Sequence, residues 1–165
     1  KQFALQEPSH ETVAFKENST VLIWRNSQNL SYSAHWHTAM EVIIPLENDY
    51  MVSVNDKTYH LLPHDILMIA PGEIHTLSAP ETGIRNIYMI DLSFLTKIKG
   101  FASIQSFISP SIHITQSTHP KIHKSILNQF LHIAAEYFRD KEYCEMTIYS
   151  VILKIFSAAV AEDLN

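Results

Sequence analysis

The chain has 165 residues, 46% of them apolar and 18% charged, with a net charge of −5. That composition suits one domain with a real core, or a domain plus a small appendage, and excludes a disordered chain. No basic patch dominates, which argues against direct nucleic-acid binding, and the single cysteine, Cys144, excludes an intrachain disulfide or a cysteine-based metal cluster.

No run approaches the ~20 apolar residues that a membrane helix needs. The opening KQFALQEPSHETVAF lacks an apolar stretch of the secretory type, and with the cysteine usage it leads us to expect a cytoplasmic protein without membrane contact.

From Thr12 to about Asp91 the pattern is one of short strands. TVAFKE, STVLIWR, SYSAHWH, EVIIPL, YMVSVN, KTYHLL, DILMIA, IHTLSA and IRNIYMIDL are separated by turn material such as ENS, NSQN, NDK, PHD and PETG. Nine short strands without an intervening helix predict a sandwich or barrel. Only three glycines occur, so Asn, Asp and His must take most tight-turn positions.

After Asp91 the period changes. SFLTKI predicts one short helical turn, and GFASIQSFISPSIHITQS reads as irregular. A helix is expected from Thr118 or His119 through Pro120 to about Asp140. Its apolar stripe is Ile122, Ile126, Phe130, Ile133 and Tyr137, with a second stripe of Leu127, Leu131, Ala134 and Phe138. A second helix, about Cys144 to Asp163, carries Ile148, Ile152, Ile155, Phe156 and Ala159 beside Val151, Leu153 and Val160. The short connection predicts an antiparallel pair. So much apolar helical surface predicts a homodimer seam within about residues 120–160, burial against the strands being the competing explanation. The expected division is residues 1–92 for the strand domain with its N-terminal arm, 93–117 for a connecting segment, and 118–165 for the helical pair.

The chemistry concentrates around residues 35–75. Residues two apart on a strand share a face, so His35 and His37 project together and Trp36 opposite. Glu41 follows on the next strand, and His75 ends the PGEIH turn. Neutral imidazoles with one carboxylate suit a divalent metal with open positions for water or substrate. The competing reading is a polar cavity wall without metal. Trp24, Tyr50 and Tyr88 could stack on a ligand, and Arg85 could anchor a carboxylate or hydroxyl pair, although a strand aromatic more often packs the core. His10, His60, His113, His119, His123 and His132 read as surface or locally hydrogen-bonded residues. Cys144 at a helix start could have a lowered thiol pKa, but a packed, inert thiol is the ordinary reading.

HWHTAME followed by HDILMIAPGEIH resembles the two motifs of the cupin superfamily. The resemblance implies a mainly β fold, a cupin jelly-roll barrel, here followed by a helix pair. It also implies His35, His37, Glu41 and His75 as metal ligands (for zinc, manganese, iron or nickel), or as effector contacts. The glycines of the family pattern are replaced by Asn48 and His64, both tolerant of left-handed turns. With IDLSFL and two apolar helices following, about Leu22 to Val160 resembles the N-terminal effector-binding and dimerisation domain of AraC-type transcription regulators. That resemblance implies a small-molecule effector, often a sugar, with no required cofactor. It further implies a homodimer, response by population shift, and DNA contact only through a C-terminal domain that this chain does not contain. The alternative is a metal-dependent cupin enzyme, a dioxygenase or sugar isomerase.

Overall fold

The computed structural model describes residues 7–162. It holds ten strands: β1 (Ser9–His10), β2 (Val21–Asn26), β3 (Tyr32–Trp36), β4 (Met40–Glu47), β5 (Tyr50–Val54), β6 (Lys57–Leu61), β7 (Ile66–Ile69), β8 (His75–Ser78), β9 (Ile84–Ile90) and β10 (Ser111–Ile114). They form two five-stranded sheets, ordered β1-β3-β8-β5-β6 and β10-β7-β4-β9-β2. Pairing is antiparallel except between β1 and β3.

Strand alternation divides the second sheet into two working faces. Ile43, Leu67 and Ile69 meet Tyr50, Val52, Val54, Tyr59, Leu61 and Leu77 of the first sheet, giving the inner core. Met40, Val42, Ile44, Ile66, Met68, Tyr88 and Ile90 point the other way, toward the helices. That double coverage leaves six consecutive residues buried in both β4 and β9. The result is a jelly-roll pair of sheets with a helical third layer. Asn48 and His64 adopt φ of 62° and 72°, so the two glycine replacements keep the left-handed turns.

Two segments before residue 115 differ from expectation. TVAFKE forms no strand. β1 sits at the edge of the first sheet and β2 at the edge of the second, so the chain between them must cross from one sheet to the other. Val13 and Phe15 nevertheless pack beside Ala39, Ile87 and Met89. The segment read as irregular contains helix α1 (Phe101–Ile108) and strand β10, which extends the second sheet along β7. The expected SFLTKI turn is a 3-10 helix, Ser93–Lys97.

Helix α2 (His123–Tyr137) starts later than expected, after a turn through Pro120. His123 is not a surface residue: it is buried, with Nε2 2.7 Å from the His64 carbonyl oxygen. Helix α3 (Cys144–Glu162) begins where expected, and the helix end expected at Asp163 lies outside the described residues, as do the side chains of Ala159 and Val160. Ile126, Leu127, Phe130, Ile133 and Ala134 of α2, and Ile148, Val151, Ile152, Ile155 and Phe156 of α3, share one core with the outer face of the second sheet. Each of the larger of these side chains contributes roughly 1.5–3 kcal/mol on burial. Much of the helical apolar surface is therefore used within the chain. Leu131 and Leu153 remain partly exposed at its margin.

Two contacts tie this layer to the strands. Glu145, in the first turn of α3, accepts hydrogen bonds from the Thr20 backbone and hydroxyl, both at 2.6 Å, just before β2. On β9, the Tyr88 hydroxyl donates to the Phe130 carbonyl of α2 at 2.8 Å.

Candidate effector and metal site

β3 and β8 are antiparallel neighbours with His35 directly opposite His75. Glu41, one residue into β4, faces inward from the second sheet. His37 lies just past β3, its backbone carbonyl accepting from Gly72 of the PGEIH turn at 2.8 Å. These four residues converge: their ligand atoms all lie within 4.8 Å of one another, and all four side chains are buried. His37 Nε2 and His75 Nε2 each stand 2.9 Å from Glu41 Oε2.

The other ring nitrogens decide the chemistry. Nδ1 of His35, His37 and His75 lies 2.8–2.9 Å from the carbonyl oxygens of Ser33, Ala39 and Glu73. A carbonyl only accepts, so each Nδ1 must carry the hydrogen, and a neutral ring then turns an Nε2 lone pair inward. Two such lone pairs 2.9 Å from a carboxylate oxygen repel unless a cation lies between them, either a proton on each ring or a metal ion. Ligand bonds of about 2.1 Å put cis donors of an octahedral ion about 3 Å apart, which matches the two short edges. The residues fit a divalent metal.

Without an ion, protons do the same work. Burial alone would raise the Glu41 carboxyl, but the hydrogen bonds and charges of His37 and His75 outweigh it and hold the pKa down to about 2. For His75, burial opposes the charge, and the Glu41 carboxylate overcomes it, so its pKa is raised.

A cavity of about 380 Å³ opens beside this cluster. His35 and Glu41 form one part of its wall, with Glu11, Trp24, Asn26, Gln28 and Tyr32 supplying polar and aromatic edges and Leu77, Ile87 and Met89 an apolar side. The volume falls at the lower end of the range for small-molecule sites. Arg85 and Tyr50 are packed behind this lining, the guanidinium carbon 4.3 Å from the ring centroid. Arg85 Nη1 donates to Asn26 Oδ1 at 3.3 Å and to the Gln28 carbonyl at 3.0 Å.

Tyr88 is not with them. It belongs to the helix-facing core, its ring edge-on to Phe130. Arg85 and Tyr88 are three apart on one strand, so alternation forbids them a common face; this was readable in the sequence. Trp36 turns away from His35 and His37, as expected, and stacks at 4.3 Å on His10. Burial raises the Cys144 thiol pKa, so the helix start does not activate it.

Sequence reasoning missed two wall elements. Glu11 approaches His35 Nε2 at 3.5 Å from the N-terminal arm, where β1 pairs with His35 and Trp36. Asn26 ends β2 and Gln28 lies in the connection after it, and no periodic signal marks them as wall residues.

The family model described as the AraC-like ligand binding domain matches residues 18–100. Among solved structures, a variant of apo ToxT from Vibrio cholerae aligns with a TM-score of 0.55 and 11% identity, covering 86% of this chain and 56% of its own. The chain thus spans about half of that protein's length. An RmlC-like cupin from Shewanella frigidimarina aligns over 44% of this chain and 67% of its own, with a TM-score of 0.41 and 18% identity. A variant of salicylate 1,2-dioxygenase from Pseudoaminobacter salicylatoxidans covers 47% of this chain and 22% of its own, with a TM-score of 0.38 and 18% identity. No curated protein matches in sequence. At these identities, likeness to solved structures speaks to fold alone.

Proposed function

The chain belongs to the AraC-like ligand binding domain family, and from that premise we propose that it is the effector-sensing and dimerisation part of a cytoplasmic transcription regulator. The observation that carries this reading is the cavity of about 380 Å³ against His35 and Glu41, with Trp24 on its rim. A small effector such as a sugar enters it and contacts the histidine–glutamate wall and Trp24, with Arg85 and Tyr50 behind. Residues 1–92 do the sensing, 93–117 connect, and 118–165 form the dimer. DNA is reached through a separate C-terminal domain.

Binding acts as a population shift: the effector favours one arrangement of the domain over another. Two strands supply the physical link. β2 carries Trp24 and Asn26 of the cavity wall and is preceded by Thr20, which Glu145 of α3 holds. β9 carries Ile87 and Met89 on its cavity side and Tyr88, bonded to α2, on its other side. A ligand that moves either strand therefore alters the footing of the helical layer. The N-terminal arm is a third reporter, because Glu11 stands at the cavity wall beside His35.

The test is a thermal-shift screen of small metabolites against the 165-residue chain, repeated with Ile87→Trp, which fills the cavity. An effector at a hundred times its Kd stabilises by about 2.7 kcal/mol, several degrees of Tm at this size. Loss of that shift in the filled variant supports the site. A shift that survives the filling places the ligand elsewhere and ends this reading.

The complete donor set of His35, His37, Glu41 and His75 favours a second reading, a metal-dependent cupin enzyme such as a dioxygenase or sugar isomerase. A divalent ion bound there would act as a Lewis acid toward a ligand oxygen. Recovery of the bound ligand unchanged after prolonged incubation with metal-loaded protein favours the sensor; its conversion favours the enzyme.

A further inference from the structure

Arg85 is a buried cation, 2% exposed, whose partners are all neutral. It donates to the Asn26 side-chain oxygen and the Gln28 carbonyl, with a long third contact of 3.5 Å to the Gly83 carbonyl, and it stacks on Tyr50. No carboxylate pairs with it among the described residues. Of the buried acids, Glu41 is already held by His37 and His75, and Asp65 by the Leu62 backbone and His113. Neutral carbonyls replace only part of the hydration that a buried guanidinium gives up.

Beside it lies a second incomplete group. The Tyr50 hydroxyl is buried and has no hydrogen-bond partner among the described residues. Native cores rarely leave such a group unpaired, and an exception calls for an explanation such as a missing ligand. Both residues belong to the barrel interior. Arg85 shares a strand face with Ile87 and Met89 of the cavity wall, and its two nearest partners, Asn26 and Gln28, are themselves wall residues. A purely structural clamp on the turn after β2 would account for the two amide contacts. It would not account for an unneutralised charge next to an unused hydroxyl.

We infer that the effector of this cavity is an anion, a small carboxylic acid whose carboxylate takes the guanidinium of Arg85 and the hydroxyl of Tyr50. The carboxylate displaces the Gln28 carbonyl from Arg85, so the turn after β2 shifts on binding. Leu77, Ile87, Met89 and Trp24 select a compact apolar or aromatic body on the acid. This inference rests on the reading of the cavity as an effector site and narrows it to a ligand class.

The experiment compares acids with their uncharged amides: benzoate with benzamide and hexanoate with hexanamide, and the neutral sugar xylose as a further probe. Binding to the 165-residue chain is read by Tm and by tryptophan fluorescence. At least one acid should bind ten times or more tighter than its amide, and Arg85→Gln should remove that preference. Tyr50→Phe guards against misfolding of the arginine variant. It should weaken the acid about tenfold while leaving the unliganded Tm equal or higher, because it deletes an unpaired hydroxyl; a merely structural tyrosine would lower the Tm instead. Amides binding as well as acids, or an acid indifferent to both substitutions, overturns the proposal, and so does silence of both acids. Xylose binding that Ile87→Trp abolishes, with neither acid bound, would leave the effector site standing and only the anion class refuted.

Discussion

Glu41 and His75 are 34 residues apart in the chain, and their Oε2 and Nε2 atoms are 2.9 Å apart inside the barrel. The two belong to different sheets, so this contact closes the site across the sandwich. It also joins His37 of the first motif to the second, because His37 bonds the same carboxylate oxygen.

Removing one imidazole should separate metal binding from folding. In His37→Ala three donors remain, and Glu41 keeps its bond from His75. We expect divalent metal affinity to fall by at least about a hundredfold, more than the 10–100-fold typical when only an outer partner of a ligand is lost. Metal analysis of dialysed wild type and variant, with circular dichroism to verify the strands, measures this. Equal metal content in both proteins would mean that these four residues hold no ion.

Tyr88→Phe tests the division between cavity and helix-facing core. The hydroxyl donates to the Phe130 carbonyl at 2.8 Å in a buried setting, so its loss should cost about 1–2 kcal/mol of stability. Effector binding in the cavity should persist, changed only through the coupling of β9 to the helices by no more than about 1–2 kcal/mol, since the side chain points away from it. Urea unfolding and ligand titration on the same sample read both quantities. A weakened ligand with unaltered stability would place Tyr88 in the site after all.

The strands from β2 to β9 were legible because alternation is a local property and each run is bounded by turn residues. The nearness of the His35 and His37 rings was legible for the same reason. What escaped depended on tertiary placement. The arm crosses between two sheet edges, so its strand-like TVAFKE pattern has no edge to follow. β10 and α1 are short, and FASIQSFI mixes Phe and Ile with Ser in a way that favours neither period. Even so, Ile104 follows Phe101 by three, and Phe107 and Ile108 follow Ile104 by three and four, which was a usable helix signal. The helical excess is open to a dimer seam or to burial against the strands, and MEVIIPL and IRNIYMI already favour burial for part of it. Strands apolar on both faces belong to a sheet covered on both sides.

The buried phenols predict behaviour in alkali. Burial raises the pKa of Tyr50 and of Tyr149 to about 12, and raises that of Tyr88 further. In the unfolded chain all three ionise near 10. Above pH 10 the unfolded state therefore binds fewer protons than the native state, and stability falls as pH rises. It should be unaffected by these groups below about pH 9 and should decline through pH 10–12. Absorbance at 295 nm should resolve an early class of tyrosines and a late one that ionises together with loss of the near-ultraviolet circular dichroism. A single smooth titration near pH 10 with structure intact would contradict the buried placement of these rings.

The fold narrows how two copies of the chain can meet. The outer face of the second sheet already covers most of the apolar residues of α2 and α3, so a dimer must use what is left at the margin. Leu131 and Leu153 are partly exposed there, while Phe94, Tyr143 and Met146 are each more than a third exposed on or beside the helical layer. Closed twofold symmetry is the commonest way to cover such a face. We expect the chain to sediment as a dimer at micromolar concentration. Leu153→Lys should shift it to monomer with the strand signal intact, because a charge at a seam must be desolvated unpaired while a charge at a free margin stays in water. Leu131→Lys, made separately, tests the α2 side of the same margin. A wild-type monomer would show that the sheet had used up the helical surface. Unfolding of both lysine variants would assign the two leucines to the core between sheet and helices rather than to an interface.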